Sequence, residues 1–498
     1  MNVNPITRLD YPDLDVIRVE DTYYMVSTTM HFMPGCEILQ SFDLVHWEHV
    51  TYVYETLDHT DAQQLKSGQN IYGQGMWAAS LRYHEGRFYI CFVANDTRKT
   101  YLYTSEKIDG PWKKQLIEGF YHDGSLLFDE DGRNYIVYGN DEIWITELNE
   151  DLTAPKKDGL HRLLVSDHKN PELGYEGSHI QKINGYYYIF LVHSLRDRWM
   201  RTEACFYSDS LEGEFTGGDV LCDDRGYCGQ GVAQGGIVDT PDGKWYAMLF
   251  QDSGAVGRLP ILLPVTWKDH FPFFGQNGHV PEEIEVHSTR PGYIYQPLVG
   301  SDDFCNGLLP RWQFNHDPDP RYYHLDALQG TYTITTREVC TELTQAVNTL
   351  TQRMSYPSCA AEVTVDASAL KEGDVAGLCA LQGCYAAVGI TKHHGKYEVL
   401  MLDKKEDGIL DMTEGTVVES HQMDFRLEAD FCNMKDEARC YYRVNKGDWL
   451  PIGTVHKLYF KLDHFTGCRF GLFCYAAEET GGSACFRDFK YYDVDEIS

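Results

Sequence analysis

A hairpin unit that recurs five times constrains this chain more than any other feature. Its clearest copy runs Gly174-Tyr175-Glu176-Gly177-Ser178-His179-Ile180-Gln181-Lys182-Ile183-Asn184-Gly185-Tyr186-Tyr187-Tyr188. A carboxylate beside glycine leads into a short strand, an Asn-Gly turn follows, and an aromatic strand pairs back. Related units span Asp13 to Tyr24, Trp77 to Tyr89, Asp123 to Tyr135 and Gln234 to Tyr246, with turns at Glu20-Asp21, Glu85-Gly86, Asp131-Gly132 and Asp242-Gly243. From lead residue to apolar anchor the offset is four residues each time: Asp13 to Ile17, Trp77 to Leu81, Asp123 to Leu127, Glu176 to Ile180 and Gln234 to Val238. Intervals of roughly 45 to 65 residues, with further strand-like stretches between, fit radial repetition of small antiparallel sheets better than a sandwich. The expected fold is a five-bladed β-propeller, whose innermost strands line a central channel. Residues at equal register then form a ring: Asp13, Trp77, Asp123, Glu176 and Gln234. Three like charges converging on one small opening are costly, which points to a catalytic use.

The remaining length accommodates a second domain, and 43% apolar with 13% aromatic residues suffices for sizeable cores. Around Glu282 to Ser301 the pattern breaks into Pro-containing, turn-rich sequence. The all-β reading is therefore a catalytic propeller over 1–300 and a β-sandwich, jelly-roll-like, over 301–498, where short alternating strands such as Ala361 to Val365 and Tyr397 to Leu402 recur. The polar-aromatic segment Gln313 to Asp319 reads as a turn. A formal charge of −32 argues against nucleic acid and anionic membranes as partners and favours a neutral small substrate. No apolar run approaches a membrane span, and Met1-Asn2-Val3-Asn4-Pro5 lacks the basic and apolar regions of a secretory signal, so a soluble, cytoplasmic protein is expected. Fifteen Cys without a C-x-x-C pair read as reduced, mostly buried thiols rather than disulfides or a metal site. The glycine-rich stretch Gly229 to Gly236 is followed by no helix pattern, which removes a phosphate-binding reading.

In the ring, Pro12 fixes the backbone before Asp13, and Trp77 offers an apolar face of the kind a sugar ring stacks on; Phe32, in a loop over the channel mouth, either does the same or packs between blades. Arg258 follows the fifth hairpin and either returns to the acids or lies on the surface. Taken in order, Tyr11-Pro12-Asp13, Trp77-Ala78, His122-Asp123-Gly124-Ser125-Leu126, Tyr175-Glu176-Gly177-Ser178-His179 and Gly257-Arg258 resemble glycoside hydrolase family 43. The tail, with Trp312-Gln313-Phe314-Asn315-His316 and Asn348-Thr349-Leu350-Thr351-Gln352-Arg353, resembles the C-terminal β-sandwich of the family's β-xylosidase and α-L-arabinofuranosidase branch. The resemblance implies inverting, exo-acting hydrolysis that releases terminal xylose or arabinose from short xylan- or arabinan-derived oligosaccharides. It implies Asp13 as general base, Glu176 as general acid, Asp123 as the carboxylate that orients and tunes the acid, and Arg258 as a substrate contact; the ring and channel-mouth reading adds Trp77, Phe32 and Gln234 as substrate-binding candidates. Family members often carry a His near the fifth strand, some with calcium or a water cluster close by. Here that neighbourhood reads Ala233-Gln234-Gly235, which argues against a central calcium; no metal or other cofactor is expected.

Inversion requires a carboxylate to activate water on one face of the sugar and a protonated acid on the other, about 6.5 to 9.5 Å apart. Opposite blades of a narrow propeller supply such a gap. The negative charge of Asp123 would favour the protonated form of Glu176, and turn amides would hold Asp13 ionised. Two other classes remain open: a binding propeller without activity, which has no need of all three acids, and a retaining fructoside hydrolase, whose carboxylates stand about 5 Å apart. A homo-oligomer is compatible with the sequence.

Overall fold

The structure, a computed structural model, describes residues 2–413 and 415–493 and is built from β-strands joined by turns and four single-turn 3₁₀ segments. Among the described residues no helix is long and apolar enough to cross a membrane. Five four-stranded antiparallel sheets form the first part. Their inner strands are Asp15–Val19, Met76–His84, Ser125–Phe128, Glu176–Ile183 and Val232–Asp239. Each touches the next, and the fifth closes on the first. Five apolar clusters fill the five gaps between blades, for example Val26, Ile38, Leu81 and Phe92 between the first and second, and Val16, Tyr23, Val238 and Tyr246 where the ring closes. The chain is thus a five-bladed propeller, closed by apolar burial between its sheets rather than by a strand shared across the seam.

The register of the ring differs from the sequence reading. Left-handed backbone occurs at Asp13, Ala78, Asp123, Gly177 and Gln234, with φ of 51°, 30°, 48°, 65° and 65°. Four residues on from each, Ile17, Arg82, Leu127, Gln181 and Val238 lie opposite a tyrosine: Tyr24, Tyr89, Tyr135, Tyr188 and Tyr246. These five positions are the equivalent ones. Trp77 and Glu176 stand one residue before them, each next to a β-bulge, between Trp77 and Ser80 and between Glu176 and His179; the fifth blade carries the same bulge between Ala233 and Gly236, with Ala233 at the corresponding place.

The second part packs a nine-stranded sheet against a seven-stranded one. The strands expected at Ala361 to Val365 and Tyr397 to Leu402 fall within Ser358–Asp366 and Lys396–Lys404. The edge of the larger sheet belongs to the propeller: Phe32–Met33 pairs with Gln313–Asn315, Phe314 opposite Met33 and Asn315 opposite Phe32. The segment read as a turn is therefore a strand followed by buried His316 and Asp317, because its ladder partner comes from far along the chain. The sandwich core also takes in Ala255, Val256 and Leu259 of the fifth blade, so apolar packing is continuous across the junction. All fifteen cysteines are free, most of them buried.

Candidate active site

A cavity of about 590 Å³ opens over one end of the propeller channel. Asp13, Trp77, His122, Asp123, Asn140, Glu176, Arg201, Gln234, Asp252 and Arg258 line its floor and sides, and Phe460, Lys461, Leu462 and Phe465 of the sandwich close it from above. Asp13 enters from the loop before the first blade. Its Oδ1 accepts from Arg258 Nη1 at 2.8 Å and its Oδ2 from the Thr28 hydroxyl at 2.7 Å, while Thr28 Oγ1 accepts the Ala78 N–H at 2.8 Å. A guanidinium and a hydroxyl, not turn amides, thus hold this carboxylate. Charge-assisted bonds of this kind are about twice as strong as neutral ones. Arg258 is itself buried, with its guanidinium carbon 4.5 Å from the centre of the Phe465 ring.

Across the floor, Asp123 Oδ2 accepts the Gly177 N–H at 2.9 Å, which ties the peptide after Glu176 to the third blade. Gly177 has φ of 65°, and a Cβ there would lie 2.7 Å from Gln234 Cγ, so only glycine leaves Gln234 its place. Glu176 Oε2 accepts from Asn140 Nδ2 at 2.8 Å, and its side chain keeps 18% exposure toward the cavity. His122 stands between the acids, its Nε2 3.5 Å from Asp123 and 3.6 Å from Glu176. Burial pushes Asp123 up to about 6, against the pull of His122, and the Asp123 charge draws His122 up to about 9. An imidazolium thus stands beside both carboxylates.

His122, Asp123 and Glu176 offer ligand atoms within 4.8 Å of one another, close enough together to hold a metal ion. Beneath the floor the channel narrows to about 10 Å³ between Ala79, Ser80, Gly124, Ser178 and His179. His179 of this lining lies 3.1 Å from Asp15, which also pairs with Arg82 at 2.7 Å.

Of the residues expected to meet substrate, the structure brings Asp13, Asp123, Glu176, Trp77, Gln234 and Arg258 to this one cavity. Phe32 is elsewhere: fully buried at the domain junction, with the Arg469 guanidinium 3.5 Å from its ring centre. Sequence reasoning gave no part to Thr28, His122, Asn140, Arg201 or Asp252. His122 adjoins Asp123 in a recurring hairpin and could have been found, whereas Arg201 and the sandwich loop carry no signal of their own.

Comparison with known proteins agrees with this geometry. The family model described as Glycosyl hydrolases family 43 matches residues 3–272, more than half of the chain, and one described as Beta xylosidase C-terminal Concanavalin A-like domain matches residues 301–492. A beta-xylosidase of Formosa agariphila is 27% identical, over 99% of this chain and 89% of its own. Among solved structures, a bifunctional GH43-CE protein of Bacteroides eggerthii is 42% identical with a TM-score of 0.93; this chain is covered completely but spans only 64% of that one. A GH43 glycoside hydrolase engineered at its active site to display both endo-xylanase and exo-arabinofuranosidase activity is 27% identical, covers 99% of each chain and has a TM-score of 0.86. A propeller with three acids in its mouth, a concanavalin-like sandwich over them and a family match across most of the propeller lead to one conclusion: the chain is a glycoside hydrolase and belongs to family 43.

Proposed function

We propose that this enzyme is an inverting exo-glycosidase that releases terminal xylose or arabinose from xylan- or arabinan-derived oligosaccharides, with no metal or other cofactor. The observation that carries the reading is the contrast between the two acids in one capped cavity. Asp13 is clamped by Arg258 and Thr28 on the first blade, and Glu176 is partly exposed on the fourth. Asp13 is suited to take a proton from water as its oxygen bonds to the anomeric carbon. Glu176 is suited to give a proton to the glycosidic oxygen as the carbon–oxygen bond breaks on the other face. Asp123 orients the acid through the Gly177 amide, and Trp77 and Phe465, 5.4 Å apart between ring centroids, wall the sugar site with apolar surface. The roof formed by Phe460 to Phe465 supports a pocket for a chain end rather than an open groove.

Aryl β-D-xylopyranoside, aryl α-L-arabinofuranoside and xylotriose, each assayed with and without EDTA, test this reading. At least one pentoside should be hydrolysed at a rate EDTA leaves unchanged, and xylotriose should lose single sugars from its non-reducing end. Internal cleavage, hydrolysis of fructosides alone, binding without hydrolysis, or loss of the rate in EDTA would contradict it.

A further inference from the structure

Arg201 and Asp252 form an ion pair in the cavity wall to which the hydrolytic mechanism gives no task. Arg201 Nε donates to Asp252 Oδ2 at 2.9 Å. Both are fixed by the sheets that carry them. Arg201 begins the strand Arg201–Ser208, and its carbonyl would lie 1.9 Å from any Cβ at Gly231, so the fifth blade packs directly on its backbone. Asp252 lies opposite Arg258 in the ladder of that blade, which sets the second guanidinium beside the one that holds Asp13. Arg201 is 6% exposed. One donor and one acceptor of the pair are left over: Arg201 Nη1 and Asp252 Oδ1 are buried without a hydrogen-bond partner among the described residues. Leaving such groups unsatisfied is costly, more so for charged ones, and a buried pair of this kind does little for stability by itself.

The leftover atoms describe their ligand. A charged donor beside a charged acceptor complements two neighbouring hydroxyls, since each hydroxyl both gives and accepts a hydrogen bond. An anionic ligand is disfavoured, because Asp252 balances Arg201 and Asp13 balances Arg258. We propose that Arg201 and Asp252 are the specificity-determining pair of the pocket, reading adjacent hydroxyls of the bound sugar. This rests on the pocket's receiving a sugar, as proposed above.

The test is a titration of free D-xylose, L-arabinose and their monodeoxy derivatives, followed by calorimetry, into the wild type, Arg201→Met, Arg201→Lys and Asp252→Asn. The wild type should discriminate against loss of one hydroxyl of the preferred pentose by about 10- to 100-fold, the range of a hydrogen bond to a charged group. In Arg201→Met that discrimination should vanish while discrimination at the remaining hydroxyls persists. Asp252→Asn should weaken it at the neighbouring hydroxyl, and Arg201→Lys should restore it in part. Equal weakening toward every sugar, unchanged discrimination, or no sugar binding by the wild type would overturn the proposal. Selective sugar binding by a wild type that hydrolyses no pentoside would instead sink the exo-pentosidase reading and leave this one standing.

Discussion

Asp13 and Glu176 stand on the first and fourth blades and are held by different partners, a buried arginine and hydroxyl for one, an asparagine and a nearby imidazolium for the other. The difference predicts how each variant fails. In Glu176→Gln the leaving oxygen loses its proton donor, which matters most for a sugar leaving group and least for a nitrophenol that departs as an anion. In Asp13→Asn the water loses its base, and a better leaving group does not replace it. Values of kcat/KM on an aryl glycoside and the matching disaccharide should therefore fall selectively in the first variant and together in the second, by about 10²- to 10⁴-fold where the missing group acts. Selective loss in Asp13→Asn would reverse the two roles. At this scale the sequence is readable where side chains follow the repeat, as Asp13, Asp123 and Gln234 do. Trp77 and Glu176 depart by one residue because the apolar anchors Leu81 and Ile180 lie one residue before the tyrosine-paired positions Arg82 and Gln181. The tyrosines opposite the inner strands were the better ruler, since Tyr24, Tyr89, Tyr135, Tyr188 and Tyr246 mark the true register.

The element that joins the two domains at the site is the sandwich loop 459–467, and Asp10 is what fastens it. Asp10 is buried; its Oδ1 accepts the Arg258 N–H at 2.7 Å and its Oδ2 the Gly467 N–H at 2.8 Å. One carboxylate thus links the strand that presents Arg258 to the loop that lays Phe465 over it. Asp10→Ala leaves two buried N–H groups unpaired and should cost about 2 to 4 kcal/mol. It should also lower kcat/KM, because Arg258 and its aromatic cover lose their common anchor. Denaturant unfolding alongside aryl glycoside kinetics checks this: a destabilised variant with unaltered kcat/KM would reduce the clasp to packing alone. The blade strands were legible from hairpins and turns, local features of the chain. The loop's contact with Arg258 and the pairing of Phe32–Met33 with Gln313–Asn315 join residues hundreds of positions apart, and neither periodicity nor turn chemistry records such partners.

Over the whole molecule the domain junction is sealed around three histidines. His31 of the first blade lies 4.8 Å from His316 and 5.0 Å from His464 between ring centroids, and Tyr72 stacks on His464 at 4.9 Å. Burial holds His31 and His316 well below their ordinary range and His464 down at about 3, with Arg469 opposing protonation of His464 as well. The folded protein keeps them neutral while the unfolded chain protonates them below about 6.5, so their contribution is complete above that pH and is lost as pH falls, for His464 toward about 3. Asp123 and Asp317, raised to about 6 by burial, act in the opposite direction, so the comparison must be with a variant. The stability advantage of wild type over His464→Phe should shrink by about 1.4 kcal/mol per pH unit between 6 and 4; a difference independent of pH would contradict a neutral junction. The family match and the closed propeller establish hydrolysis of glycosidic bonds, and the claim added here is that Asp13 directs water to one face of the sugar while Glu176 protonates the other. Proton NMR of the first-formed sugar tests that claim most directly. The account predicts that the released pentose first appears with its anomeric configuration inverted relative to the substrate and then mutarotates, whereas first appearance with retained configuration would contradict it.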